Sequence, residues 1–327
     1  SNIVTSFKST DLSEATGGID TIIGGSADTY VVGGAAGDTI TTGAGVDYIL
    51  GDHGQFTFNA DGSLSQGLST LTNLGGNDVI ITGDGNNVVL AGQGDDKVND
   101  GVAGGADFDI IFGDSGQIDA NGSGVLTEVK SISLGDGGND ILNAGQGSNV
   151  LFGGFGADSL TSTTTSGRDI LVGDNGRVVL TSNVVTLFES TDASEATGGI
   201  DSIIGGSADT YVVGGAAGDT ITTGAGVDYI LGDHGQFTFN ADGSLSQGLS
   251  TLTTLGGNDV IVTGDGNNVV LAGQGADKVN DGIAGGADFD IIFGDSGQID
   301  ANGTGVLTEV KSIDLGQGGI DTINAGA

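Results

Sequence analysis

The chain has 327 residues, with 67 Gly, 43 Asp plus Glu against 7 Lys plus Arg, and a formal net charge of -36. There is no Cys, Met, Pro or Trp, so disulfides and thiolate sites are excluded, and without a basic patch nucleic acid is excluded as a partner. Regularly placed Val, Ile and Leu within 36% hydrophobic content argue against an acidic disordered tail, although so much like charge opposes compaction unless cations complete the structure.

In chain order, a long repeat contains a shorter one. Residues 1–146 align with 182–327 at an offset of 181 with sixteen mismatches, most of them mild, such as Ile81 against Val262. Both ends cut the pattern, which reads as a window on a longer array. Residues 1–16 read as the end of a truncated arm. Module A follows at 17–74, module B at 75–136 and module C at 137–197. Copies of A and B occupy 198–255 and 256–317, and 318–327 start a copy of C. No apolar run approaches the ~18 residues of a membrane-spanning helix, so no membrane insertion is expected, and the first residues do not read as a signal peptide.

Each module opens with nonapeptides, as in Gly33-Gly34-Ala35-Ala36-Gly37-Asp38-Thr39-Ile40-Thr41, followed by a unit centred on Asp47 and Ile49. A glycine-rich loop reaches Asp at its sixth place and leads into three residues whose middle one is apolar. Such a strand cannot bury its apolar residue alone. Stacked as a parallel roll of eighteen residues per coil, Ile22, Val31, Ile40, Ile49, Ile80, Val89, Val98 and Ile111 face inward between two sheets.

Odd and even units then fall on opposite sides. The odd side carries Asp20, Asp38, Asp78, Asp96, Asp140 and Asp158 without a break. The even side carries Thr29, Asp47, Asn87, Asp109, Asn149 and Asp169, neutral at every second coil. One fully occupied ion row and one weaker or alternately filled row are expected.

Outward strand positions divide as well. Those of the odd sheet are often polar, as at Thr39 and Thr41. Those of the even sheet are nearly all apolar, as at Tyr48 and Leu50 or Ile110 and Phe112. An apolar face of that extent has a cover. The candidate is the segment of roughly twenty residues that ends each module after a Gly-Asp-x-Gly corner (51–54, 113–116, 173–176). Gln55-Phe56-Thr57-Phe58 alternates, Asn59-Ala60-Asp61-Gly62 turns, and Ser63-Leu64-Ser65 returns. The expected fold is therefore all-β: a parallel β-roll with a hairpin arm every two coils, the arms stacked as a third layer. Arms projecting into solvent would instead leave the even sheet as an interface between copies of the chain.

The nonapeptide resembles the RTX (hemolysin-type) calcium-binding repeat G-G-x-G-x-D-x-U-x. The resemblance implies calcium as the ligand, shared between sixth-place Asp side chains and loop carbonyls one coil apart. Carried over by position, the ligands are Asp20, Asp38, Asp47, Asp78, Asp96, Asp109, Asp140, Asp158 and Asp169. Asp201, Asp219, Asp228, Asp259, Asp277, Asp290 and Asp321 follow in the second copy. Ala36 replaces the fourth-place Gly, Thr29 and Thr210 lack a carboxylate, and Asn87, Asn149 and Asn268 are weaker ligands. The corner residues Asp52, Asp114, Asp174, Asp233 and Asp295 either close a calcium row or cap the turn.

His53 and His234 read as exposed turn residues. Asp84-Gly85-Asn86 lacks the twelfth-place Glu of an EF-hand. No nucleophile, base and orienting residue occur together, so no enzyme is expected. The resemblance implies type I secretion to the cell surface or the extracellular space of a bacterium, and folding there on calcium. The functional expectation is a calcium-stiffened stalk, fibre or surface-layer element of a large protein, with self-association through the arms or the even sheet. The alternatives are the calcium-binding tail of a secreted enzyme or toxin, and a direct adhesive or ice-binding face.

Overall fold

The computed structural model describes residues 3–10, 17–99, 107–280, 289–314, 316 and 318–325. The residues inserted ahead of Asp109 and the closing loop at Ala327 lie outside these. The described residues form strands and turns with no helix, in three sheets.

The odd strands form an 11-stranded parallel sheet from Thr21–Ile23 to Thr322–Asn324. The even strands form a 10-stranded parallel sheet from Tyr30–Val32 to Ile291–Phe293. Pairing keeps the eighth places in line: Ile22, Ile40, Ile80 and Val98 in the odd sheet, Val31, Ile49, Val89 and Ile111 in the even sheet. These residues meet between the sheets as a core one side chain deep per strand. The fold is a parallel β-roll.

Most strands have the expected three residues. Arg168–Val172 and Asp209–Val213 have five, because their pairing extends back to Arg168 opposite Asp209.

The arms form the third layer. Their hairpins join into one 11-stranded antiparallel sheet, from Ser6–Lys8 to Leu307–Ser312. Gly54–Phe58 pairs with Leu64–Ser69, which pairs in turn with the next arm, Leu68 lying opposite Gln117. Each hairpin carries a bulge at the same place, between Thr57 and Phe58 in the first. The inner faces of the arms, Phe56, Ile118, Val129, Val178 and Phe188, bury against Leu50, Leu90, Phe112, Phe152 and Val213 of the even sheet. The apolar outward face read from the sequence is thus a second core. Among the described residues the odd sheet has no such cover, and Ile23, Val79, Ile81 and Ile141 are exposed there beside Thr39.

Candidate metal centre

Every loop between an even and an odd strand places its sixth residue on one line. The backbone N–H of Asp20 donates to Oδ1 of Asp38 at 2.7 Å, and that of Asp38 to Oδ1 of Asp78 at 2.7 Å. The pattern continues through Asp96, Asp140, Asp158, Asp201, Asp219, Asp259, Asp277 and Asp321 without a missing rung. Parallel register explains this, since each coil lies one strand spacing above the last.

The other oxygen is left over. Oδ2 of Asp38, Asp78, Asp96, Asp140, Asp158, Asp201, Asp219, Asp259 and Asp277 is buried with no hydrogen-bond partner. A buried carboxylate oxygen without a partner is costly. The space beside it is kept open by glycine: a Cβ added at Gly51 would come within 2.2 Å of Asp78 Oδ2, and one at Gly113 within 2.0 Å of Asp140 Oδ2. Burial above all raises the pKa of these groups, to about 7 for Asp78, about 8 for Asp259 and about 6 for Asp277. For Asp96, Asp140, Asp201 and Asp219 burial raises it well above the usual carboxylate range, with neighbouring ladder carboxylates adding to the effect. Oxygen-only, anionic and buried, this donor set suits a hard divalent cation. Among the described residues no three acidic or histidine side chains converge on one point, so an ion held here would need further ligands from loop carbonyls.

The even row is built differently at alternate coils. Asp47 and Asp169 repeat the arrangement, each with a buried Oδ2 lacking a partner. Asn87 keeps the ladder bond, its Oδ1 accepting from Asp47 N–H at 3.1 Å, while its Nδ2 donates to the carbonyls of Gly83 and Gly85, both at 3.0 Å. Asn268 donates likewise to Gly264 O. The Thr29 and Thr210 hydroxyls donate to Ala27 O and Ala208 O. Asn and Thr thus supply a donor to loop carbonyls of the kind that would otherwise face a cation. Asp109, Asp228 and Asp290 occupy the same row and accept the ladder bonds from Asn87, Thr210 and Asn268.

The corner aspartates have another task. Gly51 and Asp52 lie level with Gly33 and Gly34 on one side and with Ala91 and Gly92 on the other. Gly75 to Asp78 then complete the loop, so the arm is inserted inside an odd-row loop. Asp52 Oδ1 accepts from Gly76 N–H at 3.2 Å and Oδ2 from Gln93 N–H at 2.6 Å, tying the split loop to itself and to the next coil. Asp114, Asp174 and Asp233 each accept the same pair of amides, and Asp295 accepts from Gly319 N–H. Burial, then the charge of Asp78, pushes the Asp52 carboxyl up to about 10.

The histidines expected at exposed turns are buried instead, His53 to 3% and His234 to 2% exposure. The chain returning from the arm covers them, Thr70 N–H donating to His53 O and Thr251 N–H to His234 O. Their Nδ1 atoms face Ser9 Oγ at 2.6 Å and Ser190 Oγ at 2.9 Å.

The family described as RTX calcium-binding nonapeptide repeat (4 copies) matches residues 23–55, 74–98, 134–162, 204–236 and 248–279. The chain carries RTX calcium-binding repeats. All five matched stretches lie in the roll and its loops, touching the arms only at their edges. No curated protein matches the chain. Among the described residues no helix is long and apolar enough to cross a membrane.

Proposed function

We propose that this RTX chain is a structural element, a calcium-rigidified segment of a stalk, fibre or surface layer in a large extracellular bacterial protein that leaves the cell by type I secretion. The observation that carries this is the unbroken Asp ladder from Asp38 to Asp277 with its row of buried, unpartnered Oδ2 atoms. The odd-row aspartates, from Asp20 to Asp321, are the principal ligands, each level completed by loop carbonyls. Asp47, Asp109, Asp169, Asp228 and Asp290 form a second, sparser set, interrupted where Asn or Thr already supplies a donor. Asp52, Asp114, Asp174 and Asp233 fall outside the ligand set, since both oxygens of each are taken by backbone amides, and Asp295 holds the same corner position. Several ions per chain follow from this reading, and no catalysis.

Bound calcium would supply the positive charge that lets stacked carboxylates remain ionised in a dry row. The chain's own part is to hold Oδ1 by a backbone N–H and aim Oδ2 into the glycine-lined space. The six ladder steps from Asp20 to Asp201 make one 181-residue unit, about 29 Å of rise at ~4.8 Å per strand. Three layers over so short a rise make a thick, stiff rod, which favours a load-bearing element over the tail of an enzyme or toxin.

Excess EGTA at pH 8 should abolish the β-sheet circular dichroism spectrum, and calcium should restore it. A spectrum indifferent to EGTA would overturn the calcium-fold reading. Arrays with added 181-residue units should lengthen by about 29 Å per unit in small-angle scattering, and a length that does not scale would count against the stalk.

A further inference from the structure

The seam between the even sheet and the arm sheet is filled unevenly. Around Tyr48 it is closed by aromatic rings: Phe58 lies 4.9 Å from Tyr48 and 5.4 Å from Tyr30, centroid to centroid, with Phe7 and Phe56 beside them. An equivalent cluster forms around Phe239, which lies 5.1 Å from both Tyr211 and Tyr229. Between the two clusters the same columns carry smaller side chains. Val150 and Ile170 stand in the register column of the tyrosines, and Leu180 takes the arm position of Phe58. A cavity of about 460 Å³ remains there, walled by Leu126, Val150, Ile170, Leu180, Val185 and Arg168.

Arg168 is the charged part of that wall. The place just ahead of the sixth-place residue is Val or Phe in other even loops with a sixth-place Asp, as at Val46, Phe108 and Val227, and Arg168 pairs in register with Asp209 of the next strand. The Arg168 Nε is shielded from solvent with no hydrogen-bond partner, and its guanidinium lies over the Tyr211 ring at 4.6 Å from the centroid. The ion pairs among the described residues involve Lys130, Arg177 and Lys311 and leave Arg168 out, although the chain has 43 acidic residues. A guanidinium held over a ring, on the wall of a mostly apolar cavity of ligand size, is complementary to a carboxylate carried on an apolar body.

We propose that this cavity binds a medium-chain carboxylate, its head on Arg168 and its tail between Val150, Ile170 and Leu180. Among the described residues Arg168 stands at this place in one even loop, while the seams at Tyr48 and Tyr229 are filled by rings. The site borders the even row, since Arg168 immediately precedes Asp169, but no sixth-place residue lines it.

The test is isothermal titration of octanoate into the full, calcium-loaded chain, with octanol as the uncharged control. One equivalent of octanoate should bind saturably, and octanol at least tenfold more weakly. Arg168→Gln should weaken octanoate at least tenfold and bring it level with octanol. Val150→Phe, which fills the cavity, should abolish binding of both while calcium-dependent circular dichroism stays unchanged. Absence of saturable binding, octanol binding as tightly as octanoate, or equal binding by R168Q and the unaltered chain would each overturn the proposal. R168Q decides the matter even if V150F fails to fold.

Discussion

The odd-row aspartates from Asp38 to Asp277 are each half satisfied: one oxygen accepts from a neighbouring N–H and the other is buried without a hydrogen-bond partner. Asn in the same place brings its own donor, as Asn87 does toward Gly83 and Gly85. Two substitutions should therefore move calcium in opposite directions. Asp38→Ala removes an odd-row ligand and should lower calcium affinity, with a smaller effect from Thr29→Ala. Asn87→Asp trades a donor for an acceptor and should add a bound calcium. Ion counting by mass spectrometry alongside calorimetry reads both, and equal effects of the Asp38 and Thr29 changes would refute the difference between the rows. Ala36 offers a third test. Fourth-place glycines sit at φ +127 (Gly45) and +128 (Gly94), while Ala36 is held at φ +74. A left-handed non-glycine residue costs about 1–2 kcal/mol, offset in part by the entropy of a new glycine. Ala36→Gly should raise the thermal midpoint in saturating calcium. At this scale the ladder positions were legible because each nonapeptide puts its sixth place in line with that of the next coil. The roles of Asp52 and His53 were not, because they follow from the arm being inserted inside a loop, a tertiary fact that spacing along the chain does not carry.

The arms are the elements that turn a thin roll into a thick one. Alternation at Gln55-Phe56-Thr57-Phe58 was enough to read a half-buried strand, and the apolar outward face of the even sheet was enough to say what it covers. What escaped was how arms join one another. Arg177 on one arm reaches Glu128 on the preceding arm at 2.6 Å, and Gln66 reaches Asp119 at 2.7 Å, contacts between residues 49 and 53 places apart. The third hairpin turns on Ser182 and Asn183, at φ +52 and +64, where a two-residue loop with both residues left-handed matches strand twist. Glycine, the usual marker of that turn, is missing, so the sequence showed two strands and no turn. Phe56 is fully buried between the layers. Phe56→Ala should destabilise the chain by roughly 3–5 kcal/mol in chemical denaturation with calcium present. A loss under about 1 kcal/mol would mean that the arm layer contributes little to the stability of the fold.

At the scale of the whole molecule, the charge of -36 and the buried Asp row set one linkage between calcium, protons and folding. Without calcium, burial raises Asp78 from 3.8 to about 7, Asp259 to about 8 and Asp277 to about 6. A raised carboxyl pKa means that the folded state holds its proton more tightly than the unfolded chain does. The stability gained is complete below the ordinary value of 3.8 and disappears as pH climbs through the window from about 6 to 8. Above that window only a bound cation can neutralise the row. The calcium-free chain should therefore keep much of its β-sheet spectrum at pH 5 and lose it at pH 8, while the calcium-loaded chain keeps it at both. Calcium added near pH 7 should displace protons, seen as heats of binding that change with the ionisation enthalpy of the buffer. Dilute samples are needed at pH 5, since the isoelectric point of about 4.1 is close. Equal loss of structure on EGTA treatment at pH 5 and pH 8 would break the link between buried carboxylates and calcium-driven folding. The surface charge would then account for the calcium requirement, without the ladder.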